Sequence, residues 1–184
     1  MIYPIYVYGQ PVLRQVAREI GPDYPGLAQL IEDMFETMKA SDGIGLAAPQ
    51  IGLSIRLFVI DATSMADEDP ALKDSRKVFI NAKILERSGE ETIFNEGCLS
   101  LPGIREDVKR ESIIRMQYYD EKFQLHHDTF DGFQARVIQH EYDHIEGILF
   151  IDRISPLRKK LLKSKLLNIS KGIVEANYKI KALK

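Results

Sequence analysis

The sequence predicts an α+β fold with mainly antiparallel β-sheets around a central helix, an N-terminal helix before the strands and a C-terminal helix after them. Three observations carry the prediction. Apolar residues recur at helical spacing from Leu27 to Met38 and again from Phe133 to Ile148. Between these stretches lie short runs rich in Val, Ile and Phe, the composition of strands. The last two runs are separated only by turn residues, which makes antiparallel neighbours of them.

Taken in order, residues 1–20 mix short apolar runs with Pro4, Gly9 and Pro11, predicting extended chain and turns. Leu27, Leu30, Ile31, Met34, Phe35 and Met38 then form the stripe of an amphipathic helix, entered through Pro25-Gly26 and ending near Ala40-Ser41. The stretch Asp42 to Gly52 reads as a small-residue loop in which Gly43, Gly45 and Gly52 allow close backbone approach to a ligand. It lacks the Lys-Ser/Thr ending of a phosphate-binding loop, so nucleotide binding is excluded there. Arg56 to Ile60 and Lys77 to Ile84 are predicted strands, joined by a polar surface loop over Asp61 to Arg76. Glu91 to Asn95 is a further short strand, and Ser112 to Tyr119 pairs with Phe123 to Thr129 as a hairpin around Asp120-Glu121-Lys122.

The central helix follows, with Phe133, Val137, His140, His144 and Ile148 on one face, Thr129 or Asp131 as cap and Gly147 as stop. A last helix starts after Ser155-Pro156, with Leu157, Leu161, Leu162 and Leu166 apolar and Lys or Arg between them.

A chain of 184 residues, 45% hydrophobic and 28% charged, is expected to form one domain over residues 1–184. One cysteine excludes an internal disulfide framework, and no apolar run approaches the roughly 18 residues that span a bilayer. A reducing, cytoplasmic setting without membrane contact is the expectation. The net charge of -2 hides a segregation. From Arg153 to Lys184 stand ten Lys or Arg and one acid, Glu175, a net +9; the remainder holds 15 basic and 26 acidic residues, a net -11. The tail is either a solvated basic helix or a surface for something anionic.

The chemistry concentrates in Gln139-His140-Glu141-Tyr142-Asp143-His144. Residues four apart share a helix face, so His140 and His144 can offer two imidazoles to one metal ion with Glu141 beside them as a base. A catalytic site of this kind takes a third protein ligand. The extended pattern H-E-x-x-H-x-x-G-x-x-H holds as far as Gly147 and fails at Phe150. Glu175, Asp152 and one of the neighbouring His126 and His127 remain as candidates. Cys98 is the strongest, because Glu96-Gly97-Cys98-Leu99-Ser100-Leu101-Pro102-Gly103 is a turn-rich apolar segment that would hold a thiolate rigidly.

Three stretches together resemble bacterial peptide deformylases: Gly43 to Gly52 (GIGLAAPQIG), Glu96 to Gly103 (EGCLSLPG) and Gln139 to Gly147 (QHEYDHIEG). The resemblance implies removal of the formyl group from the N-terminal formyl-methionine of newly made proteins. It implies one divalent metal ion on Cys98, His140 and His144, with Fe2+ the family's common ion and Ni2+, Co2+ or Zn2+ as alternatives. A thiolate in the set would leave a divalent ion with formal charge +1, less electrophilic than three imidazoles would. Glu141 is the implied general base and acid, and the Gln50 amide and the Leu99 backbone N–H are the implied oxyanion donors.

The same resemblance places the substrate as an extended strand beside Gly43, Ile44 and Gly45, with its methionine side chain among Ile44, Phe94, Phe133 and Val137. Arg105 either binds substrate carbonyls or pairs with a surface acid, while Gln139 and Asp143 either support the histidines or serve the fold, and Tyr142 is core. Arg136 departs from an apolar position in some relatives and is expected at the pocket mouth, its stem covering apolar surface. Pro49 stands where others carry Thr. The partner implied is the formylated nascent peptide, with ribosome association through the basic terminal helix, and neither DNA nor membrane.

Overall fold

The apolar stripe of the first helix is buried as its spacing requires, in α1 (Leu27–Ala40), and the computed structural model describes residues 1–183 around it. Leu30, Ile31, Met34 and Met38 pack there with Leu46, Leu57, Val59 and Ile80 of the adjoining sheet.

That sheet is five-stranded and antiparallel, in the order β2 (Gly45–Ala47), β3 (Leu57–Ile60), β4 (Lys77–Gly97), β5 (Arg105–Tyr119), β6 (Leu125–Asp131). Its opposite face receives α2 (Gly132–Ile145), where Ala135, Val137, Ile138 and Ile145 join Phe58, Phe79, Ile114 and Met116. Asp131 occupies the N-cap position of α2, although its side chain caps nothing, and Gly147 (φ +72°) follows the C-cap Glu146 as the expected stop, which leaves Ile148 outside the helix.

Three expectations are corrected. The Asp42 to Gly52 stretch is more than a loop: Gly45–Ala47 pairs with Phe58 to Ile60 as the sheet's edge, and Ala48–Ile51 coils into a buried 3-10 turn. The two predicted strands at 77–84 and 91–95 are one strand, whose polar middle stays paired to β5 through register shifts between Ile80 and Glu91. Gly89 (φ +79°) sits at one shift, where a Cβ would come within 2.4 Å of Ser112 Oγ, so this glycine marks a bulge. β5 begins at Arg105 rather than Ser112, pairing with β4 from Gly97 back; its inward-facing Glu106 and Arg110 are charged, which conceals the alternation in the sequence.

The basic terminal stretch is helical only in two pieces, α3 (Pro156–Leu161), with Ser155 Oγ capping the Arg158 N–H, and α4 (Lys163–Ser170). Leu162 and Leu166 bury against Val7, Leu101 and Phe150, but Leu157 and Leu161 of the predicted stripe are exposed. Beyond Ser170 the chain returns as β7 (Ile180–Lys181), parallel to β1 (Ile5–Tyr6). Among the described residues no helix is long and apolar enough to cross a membrane.

Candidate active site

One turn apart on α2, His140 and His144 both face the turn that follows β4, and Cys98 sits in that turn. The Cys98 Sγ lies 3.3 Å from His144 Nε2, and one donor atom from each of Cys98, His140 and His144 falls within 4.8 Å of the others. The competing candidates lie elsewhere. Asp152 is paired with Arg14 and Lys159, and on β6 His126 is paired with Asp120 and His127 with Gln117 of β5. Glu175 lines the same cavity but is not part of the cluster.

A network of buried ions holds the two helix turns in place. Glu96 accepts from His140 Nδ1 at 2.9 Å, from Arg110 Nε and Nη2 at 2.7 and 3.0 Å, and from Arg136 Nη1 at 3.0 Å. Arg110 also donates through Nη1 to Asp143 Oδ2 at 2.8 Å, and Arg153 donates to both Asp143 oxygens. Burial alone would raise the Glu96 pKa. The His140 and Arg110 hydrogen bonds overcome that and hold it well below the carboxylate range. At His140 burial opposes a proton, yet the bonds to Cys98 and Glu96 prevail and its pKa rises, while burial and the neighbouring His140 charge drive His144 down.

Glu141 is buried, its Oε2 has no hydrogen-bond partner among the described residues, and burial pushes its pKa up to about 7. Gly45 must be a glycine for this acid to fit, since a Cβ there would stand 2.4 Å from Glu141 Oε1. Gln50 is also buried. Its Oε1 accepts the Ala47 N–H at 2.9 Å, which turns the Nε2 toward Cys98 Sγ (3.7 Å) and Ser100 Oγ (3.3 Å).

These groups open on a cavity of about 900 Å³ whose walls include Gly43, Ile44, Gly45, Phe94, Leu99, Arg105, Phe133 and Val137. The site residues that the resemblance implies therefore meet at one place. Arg136 does not sit at its mouth as expected. It lines the cavity, but its guanidinium is buried, drawn inward by Glu96 and Thr92 of β4 and by the Val108 carbonyl of β5. Arg105 contacts Asn95 rather than a surface acid, through its Oδ1 at 2.9 Å and its carbonyl at 2.6 Å. Gln139 donates to the Glu111 carbonyl. Tyr142 packs half-buried against the α2 core. Sequence reasoning missed Arg110, whose only signal is a charge on the inward face of an alternating strand.

A family model described as polypeptide deformylase matches residues 2–160. The chain belongs to the peptide deformylase family. A peptide deformylase of Christiangramia forsetii is 53% identical over 188 residues, covering 98% of this chain and 96% of that protein. One of Flavobacterium johnsoniae matches at the same identity and coverage. The crystal structure of the Thermus thermophilus peptide deformylase superposes with a TM-score of 0.83 at 40% identity, over 94% of this chain and all of that one. Membership makes the chain a hydrolase of that class, and the family match stops before α4 and the returning β7 segment.

Proposed function

We propose that the chain removes the formyl group from the N-terminal formyl-methionine of newly made proteins, using one divalent metal ion held by Cys98, His140 and His144. One juxtaposition carries the reading: three donor atoms within 4.8 Å of one another share a cavity with the unpartnered carboxylate oxygen of Glu141. The donor set fits a metal ion. Glu96 occupies His140 Nδ1, which leaves Nε2 as the ligand atom, and a sulfur with two imidazole nitrogens suits a divalent transition-metal ion; the family resemblance makes that ion Fe2+, with Ni2+, Co2+ or Zn2+ as substitutes.

When bound, such an ion supplies Lewis acidity, polarising the formyl carbonyl and making water a nucleophile at neutral pH. The remaining work falls to the chain. Glu141 takes the proton of the attacking water at its free Oε2 and returns it to the amine nitrogen as the C–N bond breaks, releasing formate. Gln50 Nε2 and the Leu99 N–H donate to the oxygen that gains charge. Ile44, Val137 and the Phe94 and Phe133 rings, 5.5 Å apart, sheathe the methionine side chain. The peptide adds as a strand at the sheet edge beside Gly43, Ile44 and Gly45, and exposed Arg105 reaches its carbonyls.

Loaded with Fe2+ without oxygen, the chain is expected to release formate from a formyl-methionyl peptide and to leave an unformylated peptide uncut. Stripping the metal abolishes release and restoring it recovers release. Internal cleavage without formate would replace this reading with a general metal-dependent peptidase.

The whole chain acts as one catalytic domain in the cytoplasm, and the basic surface of α3 and α4 meets the ribosome, where the substrate emerges. Lys160, Lys163 and Lys165 are exposed there. Replacing all three with Glu is expected to weaken ribosome co-sedimentation, with the salt dependence of binding losing about one unit of slope per phosphate contact removed. An unchanged affinity and slope would exclude this surface.

A further inference from the structure

The segment after α4 lies outside the family match, yet it reaches the cavity, where Glu175, Ala176, Asn177 and Tyr178 form part of the wall. Its place is fixed on both sides of Glu175. Val174 packs against the cluster of Leu162, Leu166 and Phe150. On the other side Asn177 Nδ2 donates to Asp42 Oδ2 at 3.1 Å, the Tyr178 hydroxyl donates to the Leu99 carbonyl at 2.9 Å, and β7 then pairs with β1. Anchored at both flanks, Glu175 is presented to the cavity at a set place. It is the one acid from Arg153 to Lys184, and among the described residues none of the bases of that stretch lines the cavity. The ion pairs of the stretch fall on Arg153, Arg158 and Lys159, and none reaches Glu175 among the described residues.

The edge strand β2 gives this wall a direction. Gly45 abuts the Glu141 carboxylate, and Asp42 stands three residues further back along the same edge. A peptide added there, with its formyl group at Glu141 and its methionine beside Gly45 and Ile44, advances about 3.3 Å per residue. The two residues after the methionine therefore come abreast of Gly43 and Asp42, where Asn177 ties the terminal segment to the edge. The Asn177 amide is neutral and leaves the Asp42 charge in place. The two arginines of the wall are engaged elsewhere, Arg136 on Glu96 and Arg105, on the β4–β5 side, on Asn95.

We propose that Asp42 and Glu175 select a basic side chain, Lys or Arg, at one of the two positions that follow the methionine, which rests on the deformylase reading and narrows its substrate class. Two carboxylates on one side of the path, neither shared with a cation of the chain among the described residues, are complementary to a single ammonium or guanidinium. Both acids are exposed, so the attraction is screened and acts on binding more than on bond breaking.

The test compares formate release by the metal-loaded, full-length chain from formyl-Met-Xaa-Ala and formyl-Met-Ala-Xaa peptides in which Xaa is Lys, norleucine or Glu. At one of the two positions kcat/KM is expected to be about 2- to 5-fold higher for Lys than for norleucine, the size of an exposed ion pair, and lower again for Glu. The difference should lie in KM and shrink as salt approaches about 1 M, where the screening length falls to about 3 Å. Glu175→Gln is expected to lower the Lys-to-norleucine ratio, and Glu175→Gln combined with Asp42→Asn to bring it to one. Equal rates for Lys and norleucine at both positions, or a ratio that the double variant retains, would overturn the proposal. If the unaltered chain released no formate even from the norleucine peptides, the functional reading itself would fail and take the proposal with it.

Discussion

Glu141→Gln is expected to lower kcat for formate release by about 100- to 10,000-fold, the range of a lost general acid and base, while the chain stays folded and keeps its metal. The amide matches the carboxylate in shape, so the close fit against Gly45 survives and only the proton acceptor is lost. A second readout separates this from misfolding. In the metal-free chain burial pushes the Glu141 pKa up to about 7 from 4.5, so the folded state resists ionisation that the unfolded state accepts. An acid with a raised pKa withholds stability as pH rises from its unfolded value through its folded one, and the deficit is complete above about pH 7. The metal-free Gln variant should therefore melt higher than its parent above that pH, by an upper bound of roughly 3 kcal/mol, and the difference should vanish towards pH 4.5. Near-parental turnover would remove Glu141 from the mechanism.

How much of this was legible depended on what each residue faces. Leu30, Met34 and Met38 announce α1 because an apolar stripe at helical period has one physical use, and the same holds for Phe133 and Val137 in α2. His140 and His144 are four apart on that helix, and the failure of the longer motif at Phe150 directed attention to Cys98, which the fold sets 3.3 Å from His144. What stayed hidden were charged residues turned inward. Arg110 and Glu106 face the interior of β5 and erase its alternation, and the acceptors that draw Arg136 inward lie on residues 28 to 44 positions away. Such pairing has no local pattern, because the partner that stabilises the charge is supplied by the fold. The Tyr178 contact is more remote still, 79 residues from Leu99, in a basic stretch that reads as more helix.

The second large effect concerns that hidden network. Arg110→Met is expected to lower the stability of the metal-free chain by about 3–5 kcal/mol, because it leaves buried carboxylates short of their counter-ion. Arg110 and Glu96 are 2% and 4% exposed at their side chains, and Asp143 is 3% exposed, so water cannot take the place of the guanidinium. Asp143 keeps Arg153, but Glu96 keeps only Arg136 and the His140 N–H, each a single bond. For a chain of 184 residues this corresponds to a fall in Tm of about 10 °C, read by thermal unfolding. Glu96 also orients the His140 ring, and loss of such a support typically weakens metal affinity by 10- to 100-fold. Arg110→Lys separates the two consequences. A lysine restores charge but not the fork that meets Glu96 through two nitrogens, so it should recover part of the stability and less of the metal affinity. A methionine variant within 1 kcal/mol of the parent, with unaltered metal retention, would mean that Arg136 and Arg153 alone satisfy both acids and that Arg110 supports neither the fold nor the site.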